Sequence, residues 1–174
     1  AMCYNVIMVT GGGRSGKSNY ALALAMKYKK RVFIATAEPF DKEMRARIKR
    51  HKSERKNAFT TIEEPLNIAE AIKKIPDKTN VVLIDCVTVW IGNIMHHFKG
   101  NPDSSVFVKN FLKFLKNPPC DIIVVTNEVG LGIIPGDKDS RIFRDVAGRL
   151  NQAIAKLAKE IYLIVSGIPI AIKK

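Results

Sequence analysis

The segment that most constrains the fold is a glycine-rich run near the start of the chain. Residues 11–18 read Gly-Gly-Gly-Arg-Ser-Gly-Lys-Ser; they follow an apolar run and precede a helical pattern. Glycine lets the backbone wrap so that successive N–H groups face one phosphate, and the following helix adds its positive end. The run and both flanks match the GxxxxGK[ST] phosphate loop. The alternative is a glycine-rich turn that matches the motif by chance. The apolar run before the loop and the helical pattern after it disfavour this alternative.

Each residue type in this loop has a role in binding a nucleoside triphosphate. The loop residues predicted to bind the nucleotide are Gly11, Gly12, Gly13, Arg14, Ser15, Gly16, Lys17 and Ser18. Lys17 is expected to reach the β- and γ-phosphates, and Ser18 to place its hydroxyl on Mg²⁺.

Short apolar runs alternate with longer segments of helical period along the rest of the chain. The strand-like runs, rich in Val and Ile, are residues 6–9, 32–35, 81–84, 122–125 and 162–165. Continuous apolar character is typical of strands buried on both faces, as in a parallel sheet. Helices are predicted at residues 18–29, after Asp41, at Val87–His97 and after Ser140. The alternation predicts an α/β fold with a doubly wound, mostly parallel sheet.

A second acidic position completes the predicted magnesium site. Residues 81–84 are four apolar residues followed by Asp85, which is the form of a Walker B strand. Asp85 is expected at the carboxyl edge of the sheet, where open α/β folds bind ligands. An alternative role for Asp85 is to cap the helix Val87–His97, and the two roles are compatible.

Length and composition predict one domain, residues 1–174, because 174 residues with 47% hydrophobic content are typical of a single globular unit. Cys3, Cys86 and Cys120 form no CxxC pair, which favours a reducing compartment and a cytoplasmic location. The apolar runs have strand length, far below the roughly 20 residues of a membrane helix, so no membrane segment is expected.

The strong positive charge leaves a nucleic-acid hypothesis open until the basic residues are located. The formal net charge is +13, of which +5 lies in residues 41–56, with eight Lys or Arg and three Asp or Glu. In that stretch the charge suits a nucleoside triphosphate better than a polynucleotide, and we expect no nucleic-acid partner.

The ordered set of motifs resembles the bifunctional adenosylcobinamide kinase/adenosylcobinamide-phosphate guanylyltransferase family of cobalamin biosynthesis. The motifs are the phosphate loop, residues 34–37 (IATA), 41–44 (DKEM), 47–52 (RIKRHK), 63–65 (EEP), 85–90 (DCVTVW), 126–130 (TNEVG), 143–145 (FRD) and 165–167 (VSG). The resemblance runs from about residue 5 to the C-terminus, and its most specific parts are the RIxxHK and TNEVG segments.

The resemblance implies a two-step reaction on a RecA-like P-loop fold that assembles as a trimer. Adenosylcobinamide is first phosphorylated with ATP or GTP. GMP is then transferred from GTP to the new phosphate through a guanylyl group held on a histidine, and pyrophosphate is released. Mg²⁺ would accompany both nucleotides.

The resemblance also assigns site residues in this chain. The histidine that carries GMP corresponds to His51. Residues that match nucleotide-contacting positions are Thr36, Ala37, Glu38, Lys52, Ser53, Glu54, Arg55, Glu63 and Asp85. Departures are modest: Arg50 stands where some relatives have a second histidine, Phe59 where tryptophan is common, and Asp85 where some have glutamate.

The chemistry at His51 is consistent with that assignment. A nucleophilic imidazole must be neutral, and the neighbouring cations Lys49, Arg50 and Lys52 disfavour the imidazolium. On a helix, His51 shares a face with Met44, Ile48 and Arg55, so we expect the apolar end to anchor the helix. Spacing alone would favour an ordinary surface histidine; the family resemblance reverses that preference.

Two other polar segments contain candidate functional residues. Asn127 and Glu128 follow a buried strand at the ligand-binding edge and are candidate substrate-site residues, with turn formation as the alternative for Asn127. His96 and His97 are adjacent on a helix and point in different directions, so we expect no metal site there. The competing functions are a P-loop kinase without guanylyl transfer and an ATPase stimulated by nucleic acid.

Overall fold

The computed structural model describes residues 4–40, 42–55, 57–98 and 105–174, with the side chains of residues 47, 50, 51 and 54 outside the described set. The sequence predicts a surface loop at residues 99–105, and all of this loop except Ser105 lies outside the described residues. The strands are β1 (Val6–Gly11), β2 (Arg31–Ala35), β3 (Thr60–Glu63), β4 (Val81–Asp85), β5 (Asp121–Val125), β6 (Glu160–Val165) and β7 (Ile168–Lys173). The helices are α1 (Lys17–Ala25), α2 (Lys42–Arg55), α3 (Ile68–Lys73), α4 (Val87–His97), α5 (Val106–Lys116) and α6 (Lys138–Leu157).

The described strands form one sheet in the order β3-β2-β4-β5-β1-β6-β7. Every neighbouring pair is parallel except β6 and β7, which form an antiparallel hairpin at one edge. The doubly wound, mostly parallel α/β fold predicted from the sequence is confirmed. The carboxyl ends of β1, β2, β4 and β5 consequently meet at one edge, where the phosphate loop begins.

Successive side chains of the central strands enter two different cores. In β4, Val82 and Ile84 belong to the core that contains α3 to α6, whereas Val81 and Leu83 belong to the core that contains α1. This alternation follows from the twofold side-chain period of a strand. It explains why these strands read as uninterrupted apolar runs in the sequence.

Two strands and several helix ends differ from the predictions. β3 is short and only half-buried, and β7 is exposed along its length, so neither carries the signature of a buried strand. Helix α1 ends at Ala25 rather than residue 29, because the chain turns there and the Arg31 guanidinium donates to the carbonyl oxygen of Tyr28 at 2.6 Å. Helix α6 begins at Lys138, before Ser140, and Asp137 caps it by accepting from the Ser140 N–H at 2.7 Å.

A hydrogen-bonded cluster ties the turn after α1 to the amino ends of β1 and β5. The Tyr28 hydroxyl donates to Asp121 Oδ2 at 2.8 Å, and the Asn5 N–H donates to Asp121 Oδ1 at 2.7 Å. Burial and the Asp121 carboxylate raise the pKa of Tyr28 above its ordinary value of 10.0. The bond therefore stabilises the fold below about pH 10, and this stabilisation is lost as the pH rises further.

We expect Tyr28→Phe to lower the free energy of unfolding at pH 7 by about 1 kcal/mol, since one net hydrogen bond is lost. The variant should also lose less stability than the wild type between pH 9 and pH 11, because its missing phenol no longer ionises on unfolding. Urea unfolding across that pH range measures both effects. If the free energy of unfolding of the variant fell between pH 9 and pH 11 as much as that of the wild type, the assigned role of Tyr28 would be contradicted.

Candidate functional site

The phosphate loop connects β1 to α1 and depends on two glycines with positive φ. Gly11 has φ +152°, and a Cβ there would lie 2.5 Å from the carbonyl oxygen of Ile164. Gly16 has φ +96°, and a Cβ there would lie 3.2 Å from the Cα of Gly167. Both conformations and both close approaches require glycine. The sequence motif therefore corresponds to backbone geometry that other residues cannot adopt without strain.

The β6–β7 turn holds the phosphate loop from outside. The Gly167 N–H donates to the carbonyl oxygen of Ser15 at 2.8 Å. Since a peptide group is planar and trans, its C=O and N–H point in opposite directions. The Ser15 carbonyl faces the hairpin, so the N–H of Gly16 faces away from it, as a phosphate cradle requires.

Two polar side chains of the loop are buried. Lys17 is 7% exposed, and its Nζ donates to the carbonyl oxygen of Gly12 at 2.6 Å. Ser15 Oγ is buried and has no hydrogen-bond partner in the part of the chain that the structure describes. A buried hydroxyl without a partner is costly, and an anionic ligand would satisfy it.

A cavity of about 880 Å³ opens beside the loop, at the carboxyl edge of the sheet. The predicted site residues that line it are Gly13, Arg14, Ser15, Gly16, Lys17, Ser18, Ala37, Lys52, Arg55, Glu63, Asp85 and Asn127. Helix α2 forms one wall through Met44, Ile48, Lys52 and Arg55, and the phosphate loop forms another. One cavity thus joins the loop to the helix that contains His51.

Other predicted residues lie elsewhere. Gly11 and Gly12 belong to the phosphate loop without lining the cavity, and neither Ser53, which is exposed, nor Glu128 lines it. Glu38 contacts His97, whose Nε2 is 3.0 Å from both carboxylate oxygens. The side chains of His51 and Glu54 are outside the described set, although both residues belong to α2.

Thr36 is buried beneath the site and joins β2 to the end of β4. Its hydroxyl donates to the carbonyl oxygen of Cys86 at 2.8 Å and accepts from the Cys86 N–H at 2.9 Å. The Asn93 amide donates to the carbonyl oxygen of Thr36 at 2.6 Å. These bonds fix the backbone immediately after Asp85, so Thr36 supports the cavity wall without lining it.

Asp85 does not cap α4, contrary to the alternative raised from the sequence. Cys86 is the capping residue, and its Sγ accepts from the Val89 N–H at 3.4 Å. Asp85 lies at the end of β4 and lines the cavity, as does Ser18. Burial and the Asp85 carboxylate raise the pKa of the Cys86 thiol to about 12, so it is protonated and not nucleophilic at neutral pH.

The charges around the cavity are mostly positive. The basic residues that line it are Arg14, Lys17, Arg45, Lys49, Lys52 and Arg55, against the acids Glu43, Glu63 and Asp85. The Lys52 Nζ lies 2.9 Å from Glu63 Oε1, but both side chains are mostly exposed. An excess of cations beside a phosphate loop suits a polyphosphate ligand.

A buried polar network positions Asn127 at the cavity edge. The Thr88 and Thr126 hydroxyl oxygens are 3.1 Å apart, and the Thr126 hydroxyl donates to Asn151 Oδ1 at 2.7 Å. The Asn151 amide in turn donates to the carbonyl oxygen of Asn127 at 3.0 Å, and the Asn127 N–H donates to the Thr88 hydroxyl at 2.7 Å. Helices α4 and α6 therefore fix the backbone of the TNEVG segment.

We expect Asn151→Ala to lower the free energy of unfolding by about 2–3 kcal/mol, because it strands buried polar groups and leaves a small cavity. Urea denaturation measures this. Gln152→Ala, at the exposed neighbouring position, is the matched control and should change stability by about 0.5 kcal/mol or less. Equal losses in the two variants would show that the network contributes nothing specific.

Several residues of the cavity wall were not predicted from the sequence. These are Asn19, Phe33, Ala35, Pro39, Glu43, Arg45, Ala46, Cys86 and Val89. Phe33 and Ala35 are alternate residues of β2, so the strand period was a signal that could have placed both on one face. Glu43, Cys86 and Val89 lie in the motif segments at residues 41–44 and 85–90, although no role was assigned to them.

The two histidines on α4 make side-chain contacts within the chain. His97 contacts Glu38, and His96 packs edge-on against Phe40 with ring centroids 4.9 Å apart. Among the described residues, no three His, Cys, Asp or Glu side chains gather into a group that could hold a metal ion. A magnesium site here would therefore need ligand oxygens from a nucleotide.

Comparison with known proteins decides the family. The profile of the cobinamide kinase / cobinamide phosphate guanyltransferase family matches residues 7–172. The chain belongs to this family. The membership confirms the resemblance drawn from the motifs.

Curated members of the cobinamide kinase / cobinamide phosphate guanyltransferase family are similar over nearly their whole length. The bifunctional adenosylcobalamin biosynthesis protein CobU of Escherichia coli is 37% identical over 97% of this chain and 99% of its own. The protein of the same name from Salmonella typhimurium is 35% identical over the same shares. CobP of Pseudomonas aeruginosa is 36% identical over 95% of this chain and 96% of its own.

Solved structures confirm the fold at much lower identity. A protein from Pyrococcus horikoshii OT3 superposes with a TM-score of 0.58 at 10% identity, over 98% of this chain and 86% of its own. An ATPase of a bacterial type III secretion system gives 0.55 at 10% identity, over 91% of this chain and 50% of its own. The likeness shows the P-loop NTPase fold expected from the phosphate loop. None of the described helices is both long and apolar enough to span a membrane.

Proposed function

We propose that the chain phosphorylates adenosylcobinamide with ATP or GTP and then converts the product to adenosylcobinamide-GDP. The observation that carries the proposal is the cavity between the phosphate loop and α2, which gives both steps access to one nucleotide site. Family membership supplies the substrate class. The chain would act as one nucleotide-binding domain.

In the first step, the aminopropanol hydroxyl oxygen of adenosylcobinamide attacks the γ-phosphorus. The bond from that phosphorus to the β–γ bridging oxygen breaks, the hydroxyl loses its proton, and the nucleoside diphosphate leaves. Lys17 and the loop N–H groups, including that of Gly16, stabilise the charge that develops on the phosphate oxygens. Ser15 Oγ, buried in the loop, is available to donate to the same phosphates.

In the second step, His51 carries the guanylyl group. A lone pair of the neutral imidazole attacks the α-phosphorus of GTP, the bond to the α–β bridging oxygen breaks, and its electrons leave with pyrophosphate. A phosphate oxygen of the phosphorylated cobinamide then attacks the same phosphorus, and the electrons of the P–N bond return to the imidazole. Lys49 and Lys52, on the same helix, line the cavity and stabilise the departing pyrophosphate.

The residues present fit a magnesium ion held jointly by protein and nucleotide. Ser18 and Asp85 line one cavity, and hydroxyl and carboxylate oxygens are the ligands that Mg²⁺ takes in nucleotide sites, with phosphate oxygens completing its shell. When bound, the ion neutralises negative charge on the phosphates. Glu63 and Ala37, also at the cavity, would contact the nucleotide, with Asn127 toward the acceptor.

The assembly and location follow from the family resemblance. We expect a homotrimer in the cytoplasm, with no nucleic-acid partner. The exposed side chains of Ile168, Ile170 and Ile172 on β7 support an interface between copies, and the buried free cysteines Cys86 and Cys120 are compatible with a reducing compartment. Light scattering of the purified protein tests the oligomeric state.

Mass analysis of the corrinoid products tests the reaction. Wild-type protein with adenosylcobinamide, GTP and Mg²⁺ should add one phosphate and then GMP to the corrinoid. If only phosphate were added to the corrinoid, the protein would be a kinase without guanylyl transfer. If polynucleotide raised the rate of nucleotide hydrolysis and cobinamide left that rate unchanged, the protein would instead be an ATPase stimulated by nucleic acid.

A further inference from the structure

Helix α2 is attached to the rest of the protein mainly at its C-terminal end. Most of its described side chains are exposed, and Met44 and Ile48 are only half-buried. Arg55, its last residue, is the exception, with 7% of its surface exposed. An arginine buried to this extent needs compensating contacts, because desolvating a charge is costly.

The Arg55 side chain contacts the sheet through its guanidinium group. The Arg55 guanidinium carbon lies 3.7 Å from the ring centroid of Phe33, a 3% exposed residue in the middle of β2. At this distance the cation lies directly on the negative face of the ring. Phe33 in turn packs edge-to-face against Phe59, with centroids 6.0 Å apart.

The chain that leaves α2 is held by the same cluster. The Ala58 N–H donates to the carbonyl oxygen of Arg55 at 3.0 Å, and Arg31 Nε donates to the carbonyl oxygen of Ala58 at 2.8 Å. Arg31 also lies over the Phe59 ring at 5.6 Å from its centroid. Two cations and two aromatic rings thus fix the end of α2 and the turn after it against β2.

The Lys52–Glu63 ion pair also joins α2 to the sheet, and it is a weaker attachment. Lys52 and Glu63 are 61% and 64% exposed, and an exposed ion pair is screened by water and contributes little. The buried Arg55–Phe33 stack therefore attaches the C-terminal turn of α2 to the sheet more strongly than this exposed ion pair does. His51 is four residues before Arg55, which is about one helical turn.

We propose that Arg55 is a positioning residue that places His51 for guanylyl transfer by stacking on Phe33. The inference depends on the proposed role of His51 as the guanylyl carrier. It differs from the role that the family resemblance gives Arg55, which is contact with the nucleotide. Because attack on phosphorus requires close and aligned reacting atoms, a shift of α2 by about 1 Å would slow the transfer substantially.

A double-mutant cycle separates the two roles. Arg55→Met keeps the length of the side chain and removes its charge, and Phe33→Leu keeps an apolar side chain and removes the ring. In single-turnover labelling with α-labelled GTP, we expect Arg55→Met to slow formation of labelled protein at least tenfold in the wild-type background and less than threefold in the Phe33→Leu background. Arg55→Lys should restore part of the rate. Cobinamide phosphorylation should slow less than guanylyl labelling in Arg55→Met, because the proposed role concerns the placement of His51.

The matched control is Lys42→Met, which removes a positive charge from an exposed position of the same helix and should leave labelling unchanged. Equal slowing by Arg55→Met in both backgrounds would overturn the proposal, since Arg55 would then act on the nucleotide itself.

Hydrogen exchange provides a readout that does not need activity. The amides of residues 55 and 57–59 should exchange at least tenfold faster in Arg55→Met than in the wild type, and not in Lys42→Met. Unchanged exchange would overturn the anchoring role even if labelling fell. Absence of label from the wild-type protein, with exchange behaving as expected, would instead overturn the proposed function and with it the positioning of His51.

Discussion

Replacing His51 with alanine should abolish labelling of the protein by α-labelled GTP, a loss of more than about 1,000-fold, or roughly 4 kcal/mol of transition-state stabilisation. Alanine has no lone pair to attack the α-phosphorus, and the Cys86 thiol at the cavity is protonated at neutral pH. The label on the wild-type protein should be lost in acid and kept in base, as a phosphorus–nitrogen bond requires. Phosphorylation of adenosylcobinamide should stay within threefold of the wild-type rate, since that step uses the phosphate loop.

The matched control for this variant is His96→Ala, because His96 is an exposed histidine on α4 that does not line the cavity. It should keep full labelling. Persistent labelling of His51→Ala would contradict the assignment of the nucleophile, and loss of both labelling and phosphorylation would indicate that the substitution disturbs the whole site.

The parts of the fold that were predictable are those where one physical requirement determines the residue types. The phosphate loop is the clearest case, because Gly11 and Gly16 occupy positive φ beside Ile164 and Gly167. The central strands were predictable for a similar reason, since burial on both faces demands uninterrupted apolar runs. Where neither requirement applies, as in the exposed β7 and the short β3, the sequence carried no usable signal.

The anchoring of α2 shows what periodicity alone could not predict. The shared face of Met44, Ile48, His51 and Arg55 suggested that the apolar end attaches the helix, but Met44 and Ile48 are half-buried at the cavity and Arg55 is the buried residue. The sequence pattern did not predict this attachment, because the ring of Phe33 on which Arg55 stacks is 22 residues away in the sequence. Pairing of this kind depends on tertiary structure, which single-sequence patterns do not contain.

The supporting roles of two polar residues could not be predicted for the same reason. Thr36 was expected to contact the nucleotide, yet its hydroxyl bonds to the backbone of Cys86, 50 residues away in the sequence. Asn151 lies on α6 and reaches back to Asn127. Motif matching places such residues near a site, whereas only the fold shows whether they line the cavity or hold its walls.

Replacing Lys17 with methionine should reduce phosphorylation of adenosylcobinamide by about 1,000-fold, equivalent to roughly 4 kcal/mol. Lys17 is the one cation of α1 that points back into the phosphate loop, where its Nζ lies 2.6 Å from the carbonyl oxygen of Gly12. Methionine keeps the length of the side chain but provides no charge for the γ-phosphate as it is transferred. Rates of product formation with saturating nucleotide measure the effect.

Lys27→Met is the matched control, because Lys27 is exposed just beyond the end of α1 and should leave the rate unchanged. Guanylyl labelling distinguishes one shared nucleotide site from two. If a single GTP occupies the cavity with its β- and γ-phosphates in the loop, Lys17→Met should slow labelling of His51 as well, because the same two phosphates leave as pyrophosphate. If Lys17→Met phosphorylated adenosylcobinamide at the wild-type rate, the phosphate-loop lysine would have no role in the reaction. If phosphorylation were lost while guanylyl labelling stayed normal, the two steps would bind their nucleotides differently.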